Sequence, residues 1–140
     1  MAIVNTQQNI VEKFLGRGLV FPMQLTPSGA VETETGIPLI RSCLLILLHW
    51  LIGTRYMLGE FGCHLENVLE QPNDELAINL IRTHITEAID KWERRVELID
   101  VIITVPPEKE YLLNITLHYR IKNTKVEDTF IFPYYSQLKY

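Results

Sequence analysis

Two hydrophobic periods organise the chain. From Pro72 onward, Ala77, Ile81, Ile85, Ala88 and Trp92 recur every three or four residues, the stripe of one helix face. Asn73 or Asp74 is placed to cap its start, and Asp74 and Glu75 suit the positive end of the helix dipole. After Arg95 the period becomes two. VELIDVIITV alternates as Val96, Leu98, then Ile99, Val101, Ile103 and Val105, and the slip of phase near Ile99 predicts a bulge. Pro106 and Pro107 turn the chain. YLLNITLHYRI then places Tyr111, Leu113, Ile115, Leu117, Tyr119 and Ile121 on one face, with Asn114, Thr116, His118 and Arg120 on the other. KNTK reads as a turn, and VEDTFIF as a third strand ending at Pro133.

Further toward the N-terminus, residues 7–15 (QQNIVEKFL) read as a short amphipathic helix that stops at Gly16 and Gly18. Pro22, Pro27, Gly29 and Gly36 punctuate the next stretch into loops or short hairpins. Ile37 to Ile52 reads as a helix with Pro38 in its first turn, where the missing N–H costs nothing, and with Gly53 as its end. Its run CLLILLHWLI is apolar almost all round, so it must be covered on most sides and is expected to be the central helix. It contains Arg41 and His49 and is shorter than the ~20 apolar residues that span a bilayer. The class is α+β: two long helices and a short N-terminal one packed on a C-terminal antiparallel sheet.

The 140 residues are the usual size of one domain, and no repeat or linker interrupts 1–140. With 47% hydrophobic and 21% charged residues, the composition is that of a folded protein. A net charge of -4 gives no support to a nucleic-acid-binding surface. The opening MAIVNTQQNIVEKF lacks the basic start and apolar stretch of a secretory signal. Cys43 and Cys63 form no CxxC pair, so free thiols in a reducing compartment are expected, with Cys43 a small core residue.

Catalytic and metal chemistry find little purchase. His49, His64, His84 and His118 share no ligand spacing, so no metal and no cofactor is expected. No G-x-S-x-G elbow surrounds Ser28, Ser42 or Ser136, and GRG at 16–18 lacks the rest of a phosphate-binding loop. A glycosidase needs two carboxylates, one of which must donate a proton. The two in the most unusual settings, Glu60 and Glu93, sit beside Arg55 and beside Arg94 and Arg95. Positive neighbours favour the ionised carboxylate, the wrong state for a general acid.

The join WERRV, where helix passes to strand, is more informative. Once the strand begins, Arg94 and Arg95 point to opposite faces, so one of them faces protein and needs a carboxylate. A Glu–Arg arrangement held by Trp92 suits a rigid docking point better than an acid–base site. A solvated helix end, with arginine at the negative end of the dipole, is the plainer alternative. The C-terminal FPYYSQLKY is rich in Tyr and is open to two readings, a partner surface or a strand end folded over the core.

GRGLVFP, Gly29 and Gly36 before IPLIRSCLLILL, then GTRYMLGEFGCHL, then WERRV together resemble the small baseplate wedge proteins that initiate the sheath of contractile tails. The resemblance covers residues 10–135. That family spans phage tail proteins, a type VI secretion baseplate subunit and subunits of extracellular contractile injection particles, and its names often carry the word lysozyme. The most specific block is Gly53, Arg55, Met57, Glu60, Phe61 and Gly62, although Leu58-Gly59 stands where the family has a proline. The family signature Glu-Pro-Arg is matched by Glu93 and Arg95, with Arg94 in place of the proline. The resemblance implies a fold like the sheath protein's terminal domain and a structural, non-enzymatic role without cofactor. The implied partners are wedge core proteins, the tail sheath protein, and tube or hub proteins, with no nucleic acid and no membrane insertion. Six copies are implied in each baseplate, assembled in the bacterial cytoplasm. It makes Glu93, Arg94, Arg95, Arg55, Glu60 and Phe61 the expected partner-binding set. Strand addition to an open edge of the meander would carry the sheath contact. A peptidoglycan hydrolase and a small regulatory binding domain are the competing functions.

Overall fold

In the computed structural model of the protein, residues 12–65, 75–109 and 111–135 are described. The start of the short N-terminal helix, the cap of the second long helix at 73 or 74, and the tail from 136 lie outside them. The chain divides into two units, Met1–Ile46 and Leu47–Tyr140.

In the first unit a helical turn over 12–15 ends at Gly16, which adopts a left-handed φ of 76° and donates its N–H to the Glu12 carbonyl at 3.1 Å. The Gly- and Pro-rich stretch, expected as loops or short hairpins, folds as a short hairpin. β1 (Arg17–Leu19) pairs antiparallel with β2 (Thr33–Thr35), and Leu25 bridges Val31 beyond them. Gly18 permits a close approach: a Cβ there would lie 2.6 Å from Leu39 Cδ1. Ser42, nearly buried, donates to Glu34 at 3.0 Å.

α1 (Gly36–His49) has Pro38 in its first turn, as the pattern predicts, but stops three residues short of Ile52. Following carbonyls are taken by the next loop. That of Trp50 accepts from the Cys63 N–H at 3.2 Å, and that of Leu51 from the N–H and hydroxyl of Thr54 at 3.3 and 2.7 Å. Leu39, Ile40, Leu44, Leu47 and Leu48 are buried, whereas Trp50 and Leu51 are exposed. Cys43, expected in the core, is only half-buried.

The second unit holds α2 (Glu75–Trp92), whose stripe Ala77, Ile81, Ile85 and Ala88 is buried as expected, together with Ile89. Trp92 is half-buried. β3 (Val96–Thr104), β4 (Leu112–Ile121) and β5 (Glu127–Tyr135) form an antiparallel meander in the order β3-β4-β5. The register slips between Leu98 and Asp100, so the bulge is where the phase change places it. Ile99 is the extra residue and is therefore exposed, although the alternation puts it inside. Leu113, Ile115, Leu117, Tyr119 and Ile121 are all buried on one face of β4. Each such side chain contributes about 1.5–3 kcal/mol by leaving water. The Tyr119 hydroxyl is satisfied by Asp128 at 2.6 Å. The KNTK turn places Asn123 at φ 63°. β5 does not end at Pro133 but runs through it to Tyr135, with Pro133 opposite Asn114. An edge strand tolerates proline wherever its nitrogen faces away from the neighbour. Among the described residues no helix is long and apolar enough to cross a membrane.

Candidate functional site

The helix-to-strand join closes on itself. The Glu93 N–H still bonds the Ile89 carbonyl at 2.9 Å, which carries the helical pattern one residue past Trp92. The Glu93 side chain then turns inward and is 5% exposed. Arg95 Nε donates to Glu93 Oε1 and Arg95 Nη2 to Oε2, both at 2.7 Å, a two-pronged ion pair. The Arg95 backbone N–H adds a third bond to Oε1 at 3.3 Å. Of the two arginines, Arg95 is the one that faces protein, and its carboxylate is the glutamate two residues back. Arg94 is exposed. Arg94 stands where the family pattern has a proline, and the Glu93 carboxylate before it clamps both the side chain and the backbone N–H of Arg95. The Arg95 carbonyl in turn accepts from Lys122 at 2.9 Å, tying the join to the β4–β5 turn.

The glycine-rich block supplies the rest of the expected set. Gly53 donates to Gly59 at 2.7 Å and Phe61 to Leu58 at 3.0 Å, folding 53–61 into a tight loop. Gly62 has φ 128°, and a Cβ on it would collide with the Trp50 carbonyl, so only glycine fits. Phe61 packs edge-on against Trp50 at 6.2 Å and Trp92 at 5.3 Å. The Arg55 guanidinium lies over the Phe61 ring at 4.3 Å. The sequence places Glu60 near Arg55, but its ion-pair partner is Lys91 Nζ at 2.7 Å. The Lys91 hydrogen bond, and then its charge, hold the Glu60 carboxyl below its usual range. Lys91 also stands 5.2 Å from the Trp92 ring.

Arg55, Glu60 and Phe61 are therefore gathered at the C-terminal end of α2, through Trp92 and Lys91, next to Glu93 and Arg95. Two features escape a reading of the sequence. Lys91 is 31 residues from Glu60, and no local pattern links them. Tyr56 and Met57 at the loop tip are 91% and 89% exposed, with Met57 in a left-handed conformation at φ 61°. A shallow cavity of about 260 Å³ lies beside the Glu60–Lys91 pair, lined also by His64, His84 and Glu87. Cys63 beside it is buried, which pushes its thiol up to about 12. Among the described residues no three His, Cys, Asp or Glu side chains group as metal ligands.

A helix end joined to an antiparallel sheet through a two-pronged ion pair, with an aromatic and cationic loop packed on its last turn, defines a small α+β protein. The chain belongs to the family of baseplate wedge protein gp25, which it matches over residues 36–126, from the start of α1 to the β4–β5 turn. It is accordingly a structural component of a baseplate wedge. Among solved structures it is similar to a candidate tail lysozyme from Geobacter sulfurreducens, with 27% identity, a TM-score of 0.66, and 72% of this chain and 91% of that one covered. It is also similar to a chain of the anti-feeding prophage baseplate (21% identity, TM-score 0.66, 92% of each chain). A chain of the postcontracted pyocin R2 baseplate gives 18% identity and a TM-score of 0.56, over 72% of this chain and 99% of that one. These last two show the same α+β fold within contractile injection machines. None of the curated proteins matches the chain.

Proposed function

We propose that this wedge protein joins the wedge core to the first sheath ring and templates sheath assembly by strand addition. The observation that carries the reading is the sheet order β3-β4-β5, a meander with two edges that no other strand among the described residues closes. An extended arm of a sheath subunit added to such an edge gains main-chain hydrogen bonds, and copies of the same pairing extend the sheath layer by layer. The two-pronged Glu93–Arg95 pair, with the Arg55, Glu60 and Phe61 loop beside it, is the docking point for the wedge core. Tube or hub proteins are further neighbours. Six copies act in each baseplate, built in the bacterial cytoplasm as a single-domain part of a phage tail or injection particle.

The protein is not a hydrolase on this reading. The Lys91 hydrogen bond and charge hold the Glu60 carboxyl below its usual range, which disfavours it as a proton donor, and both oxygens of Glu93 are engaged by Arg95. Co-purification tests the proposal. Wedge and sheath proteins of the same machine are expected to be recovered with this chain, and deletion of Val126 to Pro133 is expected to lose the sheath protein. Normal sheaths on particles carrying that deletion would refute it. So would clearing of a peptidoglycan suspension that Glu93→Gln abolishes.

A further inference from the structure

We infer that the incoming strand pairs with β5 and not with β3; this rests on the strand-addition reading above and adds to it the edge, the register and the chemistry of the segment taken. In an antiparallel pair the N–H and C=O of one residue point to the same side, and successive residues alternate sides. The two edges of this sheet are therefore rows of alternate residues, and their rows differ.

On β3 the edge row includes Val101, and both of its main-chain groups are already used. The Val101 N–H donates to Asp100 Oδ1 at 2.8 Å, and the Val101 carbonyl accepts from Arg82 Nε, reaching over from α2, at 3.1 Å. The bulge between Leu98 and Asp100 further breaks the regular spacing of this edge. Side-chain capping and bulging are the devices that keep an edge from pairing.

On β5 the parity follows from Pro133. It has no N–H, yet β5 stays paired with β4 on either side of it, so its nitrogen faces outward. Glu127, Thr129 and Ile131 then face outward too. The same parity follows from the other edge: Val101 is opposite Leu117, and Leu117 is opposite Phe130, so Phe130 faces β4. Among the described residues nothing hydrogen-bonds the outward backbone groups of Thr129 and Ile131. The usable row is 127–131, closed by a carbonyl at 133 that accepts but has no N–H beside it.

This row selects its occupant. Ile131 is 63% exposed, and Phe130 and Phe132 stack at 5.9 Å on the opposite face, so the segment carries apolar side chains beside both. Glu127 and Asp128 put two carboxylates at the other end, where Arg120 binds Glu127 and the Tyr119 hydroxyl binds Asp128. A Lys or Arg in the segment belongs there. A second copy of this chain fits poorly in either register: a two-fold antiparallel pair centred on Thr129 sets Glu127 of each copy opposite the apolar Ile131 of the other, and one centred on Phe130 sets each Pro133 opposite Glu127 and loses a bond at both places.

Hydrogen–deuterium exchange of the full chain, alone and with the purified sheath subunit of the same machine, tests the assignment. Thr129 and Ile131 amides are expected to become protected, with Ile103 on β3 unchanged. Ile131→Pro removes an outward N–H without removing a β4 bond, so it folds as Pro133 does and is expected to weaken sheath binding about tenfold or more. Asp100→Ala and Arg82→Ala are expected to leave binding unchanged. Protection on β3 in place of β5 overturns the edge assignment and leaves strand addition standing. Binding without protection of either edge overturns both. Protection of β5 that rises with concentration in the absence of sheath subunit assigns the edge to a second copy and also overturns the inference.

Discussion

Replacing Arg95 by alanine strips the Glu93 carboxylate of two charge-assisted bonds of 2.7 Å and leaves it one backbone N–H at 3.3 Å. Glu93 is 5% exposed, so water does not replace what is lost. Orphaning one member of a buried pair costs about 3–5 kcal/mol. Because the Arg95 side chain is 28% exposed, the pair is not fully desolvated, and the lower end, about 3 kcal/mol, is expected. The converse change, Glu93→Ala, leaves Arg95 with solvent access at 28% exposure and a contact besides Glu93, so a smaller cost of about 1–2 kcal/mol is expected. The double variant is expected to fall short of the sum by about 1–2 kcal/mol, since each single change already breaks the shared bonds. Guanidinium unfolding followed by tryptophan fluorescence reads all three, with Trp92 adjacent to the site. Against a typical stability of about 5–15 kcal/mol the variants stay folded, so failure of either to enter baseplates reports on docking. Strict additivity would show that the pair is not the coupled unit described here. Complete unfolding of both would show that it is merely structural.

Three further outcomes are expected. Cys63, raised by burial from the ordinary thiol value of 9.0 to about 12, stays protonated while the unfolded chain ionises. Its contribution to stability is complete below pH 9 and is lost as pH rises toward 12, and thermal melts of Cys63→Ala against the parent protein should show a shallower fall in that window. Gly62→Ala places a Cβ against the Trp50 carbonyl at a positive φ and is expected to cost about 3 kcal/mol or more by denaturant midpoint, because backbone and not a flexible side chain must move. Lys91→Ala removes the cause of the lowered Glu60 carboxyl, so its NMR titration should move up while the melting temperature stays unchanged, as befits an exposed pair.

Much of the fold could be read from the chain in order. The stripe from Ala77 to Ala88, the bulge at Ile99 and the buried face of β4 all follow from periods set by backbone geometry. Proline and glycine were less reliable guides to boundaries. Pro133 looks like a strand end but sits inside β5, because its nitrogen faces away from β4. Gly53 looks like the stop of α1, but the loop after His49 claims the Trp50 and Leu51 carbonyls first. The site was legible only in part. Glu93 and Arg95 stand two residues apart, and their pairing follows from a buried glutamate beside the one arginine that turns inward.

Sequence by itself determined the α+β class, the order of the long helices and the meander, the family, and the place of the charged join. Each depends on neighbours along the chain. Tertiary structure alone decided that Glu60 meets Lys91, that Arg55 lies over Phe61, and that α2 sends Arg82 to cap β3 while β5 keeps an open row. The Glu60–Lys91 and Arg82–Val101 bonds join residues 31 and 19 apart in sequence at 2.7 and 3.1 Å, and no local period encodes which of several lysines, arginines or edges will be the one that arrives.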